Sequence, residues 1–446
     1  LDVTDPWRNW ARDQHCAPLT IEHPAGESEL AGLVAGAAER GTPIRAVGSG
    51  HSFTDIACTD GLMIDLSRMP RLIAADPATG RVTVEAGIKI RALGSLLAEH
   101  GLALENQGDV DGQTLAGALA TATHGTGLSF GNLSSQVVGM RLVLASGEVV
   151  DLTQESDPEG LLAARVGLGA LGIASTVTLQ CVPLYRLYRN DRPAALGDVL
   201  DRLDDAFAVN DHYEFFVFPY TRTALTRTST RTLDTTPAPT RPSAGWAAKL
   251  QEAVLENAVL ELICRTGRLL PRLTPVLNRL ISSSLSATEL NDHAHRVYAS
   301  RRMVRFTEME YAIPRAHARE AVERVLELIE RRRLPILFPL EVRIAAGDDA
   351  FLSTAHGRET CYIAVHQYAG MAFESYFRSV EAIMDDYDGR PHWGKRHYQR
   401  AETLSGRYPD WDRFQAVRAR WDPTGVFTND YTRRTLGPAG VVAAVS

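Results

Sequence analysis

Lysine is nearly absent from this sequence. Of 47 basic residues only Lys89, Lys249 and Lys395 are lysine, and arginine carries the rest of the positive charge. An exposed cation in this chain is therefore expected to be arginine. A lysine inside a structured motif asks for a chemical reason, because an ammonium and a guanidinium are not interchangeable. Lys89 and Lys249 sit in no such motif; Lys395 does. Cysteine is also sparse, with five scattered residues and no C-x-x-C pair, which fits a reducing compartment better than a disulfide framework. No apolar run reaches the roughly 18 residues that a membrane-spanning helix needs. Positive charge is not in excess, and a net charge of −7 argues against nucleic acid as the partner. Leu1–Trp7 carries no signal-peptide pattern. The expected location is the cytoplasm, with peripheral membrane contact left open. What is present is ordinary for a soluble globular protein: 446 residues, 45% hydrophobic and 23% charged, enough for two or three domains.

Hydrophobic spacing predicts a helix over 26–41, capped by Ser28, then a strand over 43–48 that runs into Gly48-Ser-Gly50. Strands follow at 61–66 and 81–86, a helix at 91–100, a hairpin of 137–144 with 148–152, and a strand over 173–182. This first third is α+β, with no regular βαβ repeat. After Pro183 the spacing predicts a strand over 213–219, a Thr/Pro-rich loop over 232–245, and packed helices over 246–284. Mixed charge signs on their polar face disfavour a membrane-surface helix there. A second α+β layer is expected from strand 304–313, helix 315–333, strands 335–345 and 361–368, and helix 372–386.

Two glycine motifs compete for a nucleotide. Gly167-Leu-Gly-Ala-Leu-Gly172 matches G-x-G-x-x-G, but a helical stretch precedes it and a β-branched run follows. A dinucleotide fingerprint needs the reverse order, so that a helix N-terminus meets the pyrophosphate. The segment reads as a helix-to-strand turn, and nicotinamide binding is rejected. Val47-Gly-Ser-Gly-His-Ser52 follows a strand, and its closely spaced backbone N–H groups can converge on an anion. A second segment, Gly108-Asp-Val-Asp-Gly112 through Thr121-Ala-Thr-His-Gly-Thr-Gly127, can line the same extended ligand. Among polar clusters, Glu341 and Arg343 share one face of an otherwise apolar strand. His392 and His397 have no further ligand at useful spacing, so no metal site is expected. His293 and His295 read as an exposed helical pair. Glu310, His366 and Asn429 are divided evenly between site and structural roles.

Together, Val47–Ser52, Ala122–Gly127, Leu168–Gly172 and Pro391-His-Trp-Gly-Lys395 resemble the aldonolactone oxidoreductases of the vanillyl-alcohol oxidase flavoprotein superfamily, over about residues 10–435. The resemblance implies an α+β fold: a two-subdomain FAD-binding domain over 1–183, an α+β substrate cap over 184–389, and a closing segment over 390–446. It implies FAD, bonded covalently through His51. Its binding set is Val47, Gly48, Ser49, Gly50, His51, Ser52, Gly108, Asp109, Gly112, Gly117, Thr121, Thr123, His124, Gly125, Gly127, Gly172, Ile173, His392 and Asn429. Glu341, Arg343 and Lys395 are the implied catalytic residues: the carboxylate orients or shares the hydroxyl proton, and the cations hold developing negative charge.

The implied reaction is oxidation of an aldono-1,4-lactone of the L-gulono type at the C2 hydroxyl, giving a 2-keto lactone that tautomerises to an ascorbate-type product. The nearest alternative is an alditol oxidase acting on open-chain polyols. A non-catalytic flavin redox carrier is the alternative from another class, and it would not need the charged trio. The electron acceptor is left among oxygen, a cytochrome and a quinone. Gly108 is read as leaving oxygen a path to the flavin, and the Asp109 carboxylate as slowing its use.

Overall fold

The computed structural model describes residues 6–233, 259–300 and 304–440. Strand Thr20–Glu22, helix Glu27–Glu39 and strand Ile44–Val47 come in succession, and both strands pair in parallel with Leu62–Asp65 between them. One parallel unit therefore exists where the sequence spacing predicts none. The helix begins after Gly26 rather than at a Ser28 cap, and the Glu29 carboxylate accepts from Ala25 N at 2.7 Å. A second sheet is antiparallel, in the order 149–153, 137–143, 173–180, 81–85, 72–76. Along Ile173–Gln180, residues 173, 175, 177 and 179 are buried and their neighbours less so, the period-2 pattern of a sheet with one covered face. One core joins Leu30 and Val34 of the helix, Val82, Val84 and Val177 of the sheet, and Trp411, Phe414, Phe427 and Tyr431 near the C-terminus. The end of the chain is thus built into the first part.

The second core lies against an antiparallel eight-stranded sheet, in the order 288–293, 186–195, 223–232, 212–217, 340–345, 360–368, 306–314, 390–391. Alternation splits its residues between two faces. Tyr213, Phe215, Met309, Tyr311, Val342 and Ile363 pack with helices Ala318–Arg332 and Glu374–Asp385. Glu214, Glu308, Glu310, Glu341, Arg343 and His366 fall on the opposite parity and are all buried as well. A face of buried charge inside a closed molecule requires a cavity or mutual pairing. It has both.

Three strands of this sheet, 186–195, 223–232 and 288–293, escape the sequence reading because polar and charged residues dominate them, arginine in the first, threonine in the second and Glu289, Asn291, Asp292 and His293 in the third, and neither face is apolar. The strand expected over 335–345 starts only at Leu340, after Pro339, which has no N–H for a ladder. The helix expected from 315 starts with a single 3₁₀ turn, and Arg333 closes it in the left-handed region at φ 50°. His293 ends a strand, His295 lies in the short helix Ala294–Tyr298, and both are half-buried, so they are not an exposed helical pair. The Thr/Pro-rich loop beyond Leu233 lies outside the described residues, as does the first part of the expected helical pair. From 259 on, that pair packs Leu260, Ile263, Cys264 and Leu277 against Val304, Leu337 and Tyr368. Its other side exposes Val259, Leu262, Leu269, Leu270, Val276 and Leu280. Among the described residues no helix is long and apolar enough to cross a membrane.

Candidate functional site

Two cavities meet at His51, which lines both. The first, about 140 Å³, is walled by Val47–Ser52, Gly117 and the turn Gly167–Ile173. The rejected fingerprint thus contributes a wall, reached from a helix and leading to a strand, as its context requires. A Cβ on Gly48 would stand 2.1 Å from Thr114 Oγ1, and Gly50 has φ +67°. Only glycine lets this backbone lie so close to its neighbour. The Ser49 hydroxyl is buried in the turn without a partner in the protein, and buried hydroxyls ordinarily have one. Converging backbone donors with an orphaned hydroxyl fit the pyrophosphate of the implied dinucleotide.

The walls are held by residues that the sequence reading missed or misplaced. Arg45, 2% exposed, donates to the carbonyls of Ile56, Leu168, Gly169 and Phe427, and burial pushes its guanidinium pKa down to about 10. A charged residue in the apolar strand Ile44-Arg-Ala-Val47 was the available signal. Asn429 lies outside both cavity linings. It caps helix Asp430–Leu436 and gives its amide to the carbonyls of Asp55, Ile56 and Cys58. Its place is behind the wall, not on the cofactor side. Gly127 is also set back, its N–H donating to Ile344 O. Gly125 lines a smaller chamber of about 30 Å³ that shares Asp109 and Arg343 with the second cavity.

The second cavity, about 480 Å³, collects most of the remaining predicted set: Ser52, Gly108, Asp109, Gly112, Thr121, Thr123, His124, His392, Glu341, Arg343 and Lys395. Trp10 and Phe306 add an apolar rim that no motif announced. Lys395 reaches Glu308 Oε1 at 2.7 Å and Glu310 Oε2 at 2.8 Å. Burial opposes its charge, but the two carboxylates outweigh it and hold the ammonium pKa above the ordinary lysine value. Burial likewise opposes Glu308, yet Lys395 and His366 bring it down to about 2. Lys395 is therefore a fixed, charged group. Glu310 is pinned on its other oxygen by His124 Nε2 at 2.8 Å. His124 Nδ1 lies 2.8 Å from Gly125 O, and the ring stacks on Tyr362 at 3.5 Å.

The donor atoms of His124, Glu310 and His392 lie within 4.8 Å of one another, which is metal-like spacing. The partners argue for an ion-pair cluster instead. Both Glu310 oxygens are engaged, and Lys395 places a positive charge beside them. His392 Nδ1 accepts from Gly394 N, and burial, aided by Lys395, lowers its pKa to about 3.

Arg343 and Glu341 form the other pole. Arg343 Nη2 contacts Glu341 Oε1 and lies 3.5 Å from Asp109 Oδ1, while Nε donates to Glu214 Oε2 at 2.6 Å. The two poles share one sheet face because Glu341 and Glu310 both pair with Ala364 from opposite sides. A Cβ on Gly108 would meet His124 O at 3.0 Å and Thr123 Cγ2 at 3.2 Å, so the glycine lets its segment pack closely against 123–124 at the border of the second cavity. Asp109 is held by Ser300 Oγ at 3.1 Å as well as by Arg343.

Comparison with known proteins gives consistent results. Residues 177–435 match the model of the D-arabinono-1,4-lactone oxidase family, and residues 18–153 match an FAD binding domain. The chain is 60% identical over 432 residues to L-gulono-1,4-lactone dehydrogenase of Mycobacterium tuberculosis strain H37Rv, covering 97% of this chain and 99% of the relative. It is 34% identical to L-gulonolactone oxidase of Bos taurus, covering 96% and 98%. In three dimensions it superposes on a solvent-stable cholesterol oxidase with TM-score 0.80 at 18% identity, over 97% of each chain, which shows a shared fold.

Proposed function

The chain belongs to the D-arabinono-1,4-lactone oxidase family, and from that membership we infer that it is an FAD-dependent enzyme oxidising an aldono-1,4-lactone of the L-gulono type at the C2 hydroxyl. The observation that carries the reading is the shared cavity in which the lysine pole and the arginine pole face one another. Bound FAD supplies the two-electron oxidation. The Val47–Ser52 turn, the 108–124 segment and the 167–173 turn would hold it, with His392 and Gly394 lining the same space. Lys395 and Arg343 present fixed positive charge to the lactone oxygens, where negative charge grows as the hydroxyl proton leaves. Glu341, paired with Arg343, orients that hydroxyl and takes the proton it loses. Glu308 and Glu310 keep Lys395 charged and in place.

The test is dye-linked turnover with L-gulono-1,4-lactone and a panel of polyols. Lactone is expected to be the better substrate. Lys395→Ala and Arg343→Ala should retain flavin and lose on the order of 10²-fold in kcat, the scale of one lost electrostatic contact. Wild-type rates in both variants would remove the assignment, and preference for polyols would point to the alditol oxidase reading.

We also infer peripheral contact with anionic lipid. The outer side of the 259–283 helical pair combines exposed Leu262, Leu269, Leu270 and Leu280 with Arg265, Arg268, Arg272 and Arg279. The mixed-sign polar face expected from the sequence does not hold over 259–283, where Glu261 is the one acid and is paired with Arg265; an apolar stripe edged by cations is the pattern of a helix lying in a membrane interface.

A further inference from the structure

Four charged residues cross the large sheet in a line of alternating sign. Asp191 pairs directly with Arg227, and Arg227 pairs directly with Glu214 on the next strand. One position beyond the Phe215–Val342 pair, Glu214 meets Arg343. The side chains follow the backbone register. Arg227 takes Asp191 with two hydrogen bonds, Nε to Oδ1 at 2.9 Å and Nη2 to Oδ2 at 3.0 Å. Arg227 Nη1 then donates to Glu214 Oε1 at 2.9 Å, and Arg343 Nε donates to Glu214 Oε2 at 2.6 Å. Both oxygens of Glu214 are thus committed, one to each arginine. Asp191, Glu214 and Arg343 are 4–7% exposed.

Arg343 would not stay in place by itself. It lines the reaction cavity beside the carboxylates of Glu341 and Asp109, either of which could draw the guanidinium sideways. A bond to Nε from behind restricts rotation of the planar group about its own stem, and this is what directs its remaining N–H donors into the cavity. Held on both oxygens, Glu214 has no freedom to follow Arg343 if it turns.

We propose that Glu214, backed by Arg227 and Asp191, is the positioning residue for Arg343 in lactone oxidation. The ladder runs from the sheet interior to the reaction cavity and keeps the guanidinium aimed at the substrate oxygen. The proposal rests on the role given to Arg343 above.

The experiment is a double-mutant cycle on the flavin-loaded enzyme, with kcat and KM measured for L-gulono-1,4-lactone and flavin content and Tm as controls. Glu214→Gln can serve one arginine through its oxygen but turns an amide NH₂ toward the other. It is expected to lower kcat about tenfold to a hundredfold with KM changed by less than about threefold. In an Arg343→Ala background the same substitution should cost nothing further, because its effect passes through the missing side chain. A merely structural role would lower kcat by the same factor in both backgrounds, and that result overturns the proposal, as does a Glu214→Gln kcat within about twofold of wild type. If Glu214→Gln does not fold, Asp191→Asn is read in its place. It should give a smaller loss, about two- to tenfold, again absent without Arg343; an unchanged kcat overturns the proposal. If Arg343→Ala itself turns over normally, the role of Arg343 falls and the proposal falls with it. If Arg343→Ala is slow and Glu214→Gln is normal, only the ladder is refuted.

Discussion

His51 stands where the two cavities join, and its surroundings decide its chemistry. Burial, aided by the charge of Lys89, holds its pKa below the ordinary imidazole value. The ring is therefore neutral near pH 7, the form with a free lone pair. Trp10 stacks on it with centroids 5.7 Å apart, which fixes the ring plane. The Cα of Gly112 passes so near that a Cβ there would lie 3.2 Å from Nε2. A held, neutral imidazole at the edge of a flavin-sized cavity is suited to a covalent bond to the cofactor. Protein precipitated with acid should then stay yellow, and His51→Ala should release its flavin to the supernatant. Free FAD above precipitated wild-type protein would exclude the bond.

At the scale of the element, the glycines of the first third divide into two kinds. Gly48 sits at the end of the strand Ile44–Val47 with Thr114 against it, whereas Gly32 lies mid-helix, exposed, with nothing within 4 Å of a built Cβ. Alanine should therefore have opposite effects. Gly32→Ala relieves the entropy cost of a helical glycine and should raise stability by about 0.5–1 kcal/mol. Gly48→Ala must push the strand from Thr114 and deform the donor turn, so flavin content and Tm should both fall. Differential scanning fluorimetry with absorbance at the flavin band reads both. Equal flavin content in Gly48→Ala and wild type would show that the turn does not hold the cofactor. The same logic places Asn429: its amide ties the 55–58 stretch to the C-terminal helix, so its effect on the first cavity is indirect.

At the scale of the molecule, two cores meet around the cavities, and the C-terminal segment belongs to both. Trp393 and Tyr431 are buried in the first core, while strand Arg390–Pro391 edges the large sheet of the second. On the outside, the helical pair over 259–283 is anchored through Cys264 and Leu277. Its exposed leucines remain available for the lipid contact inferred above. Vesicles rich in phosphatidylglycerol should sediment the protein, phosphatidylcholine vesicles much less, and 0.5 M salt should weaken the binding by screening the arginines. Leu269→Ser with Leu270→Ser should abolish it and leave lactone turnover unchanged. Failure to sediment with either vesicle would remove the membrane reading, and concentration-dependent dimerisation lost in the double variant would assign the patch to a second copy of the chain.

Much of the site was legible in the one-dimensional pattern. Glycine spacing after a strand marked Val47–Ser52, strand alternation put Glu341 and Arg343 on one face, and the scarcity of lysine drew attention to Lys395. These signals are local, carried by sterics and side-chain direction within a few residues. What the chain does with the charges was not legible. That Lys395 is clamped by Glu308 and Glu310, that Arg343 faces three carboxylates, and that Asp191, Arg227 and Glu214 stand behind it all depend on which strands become neighbours and in what register. Strand adjacency in an eight-stranded antiparallel sheet is settled by packing of both faces over long separations in sequence. The polar strands 186–195 and 223–232 carry no hydrophobic period to announce them. Residue types and faces were therefore determined by the sequence alone, and only the tertiary structure decided the pairing of buried charge, because a charge is stable inside a protein only beside the particular partner that the fold brings to it.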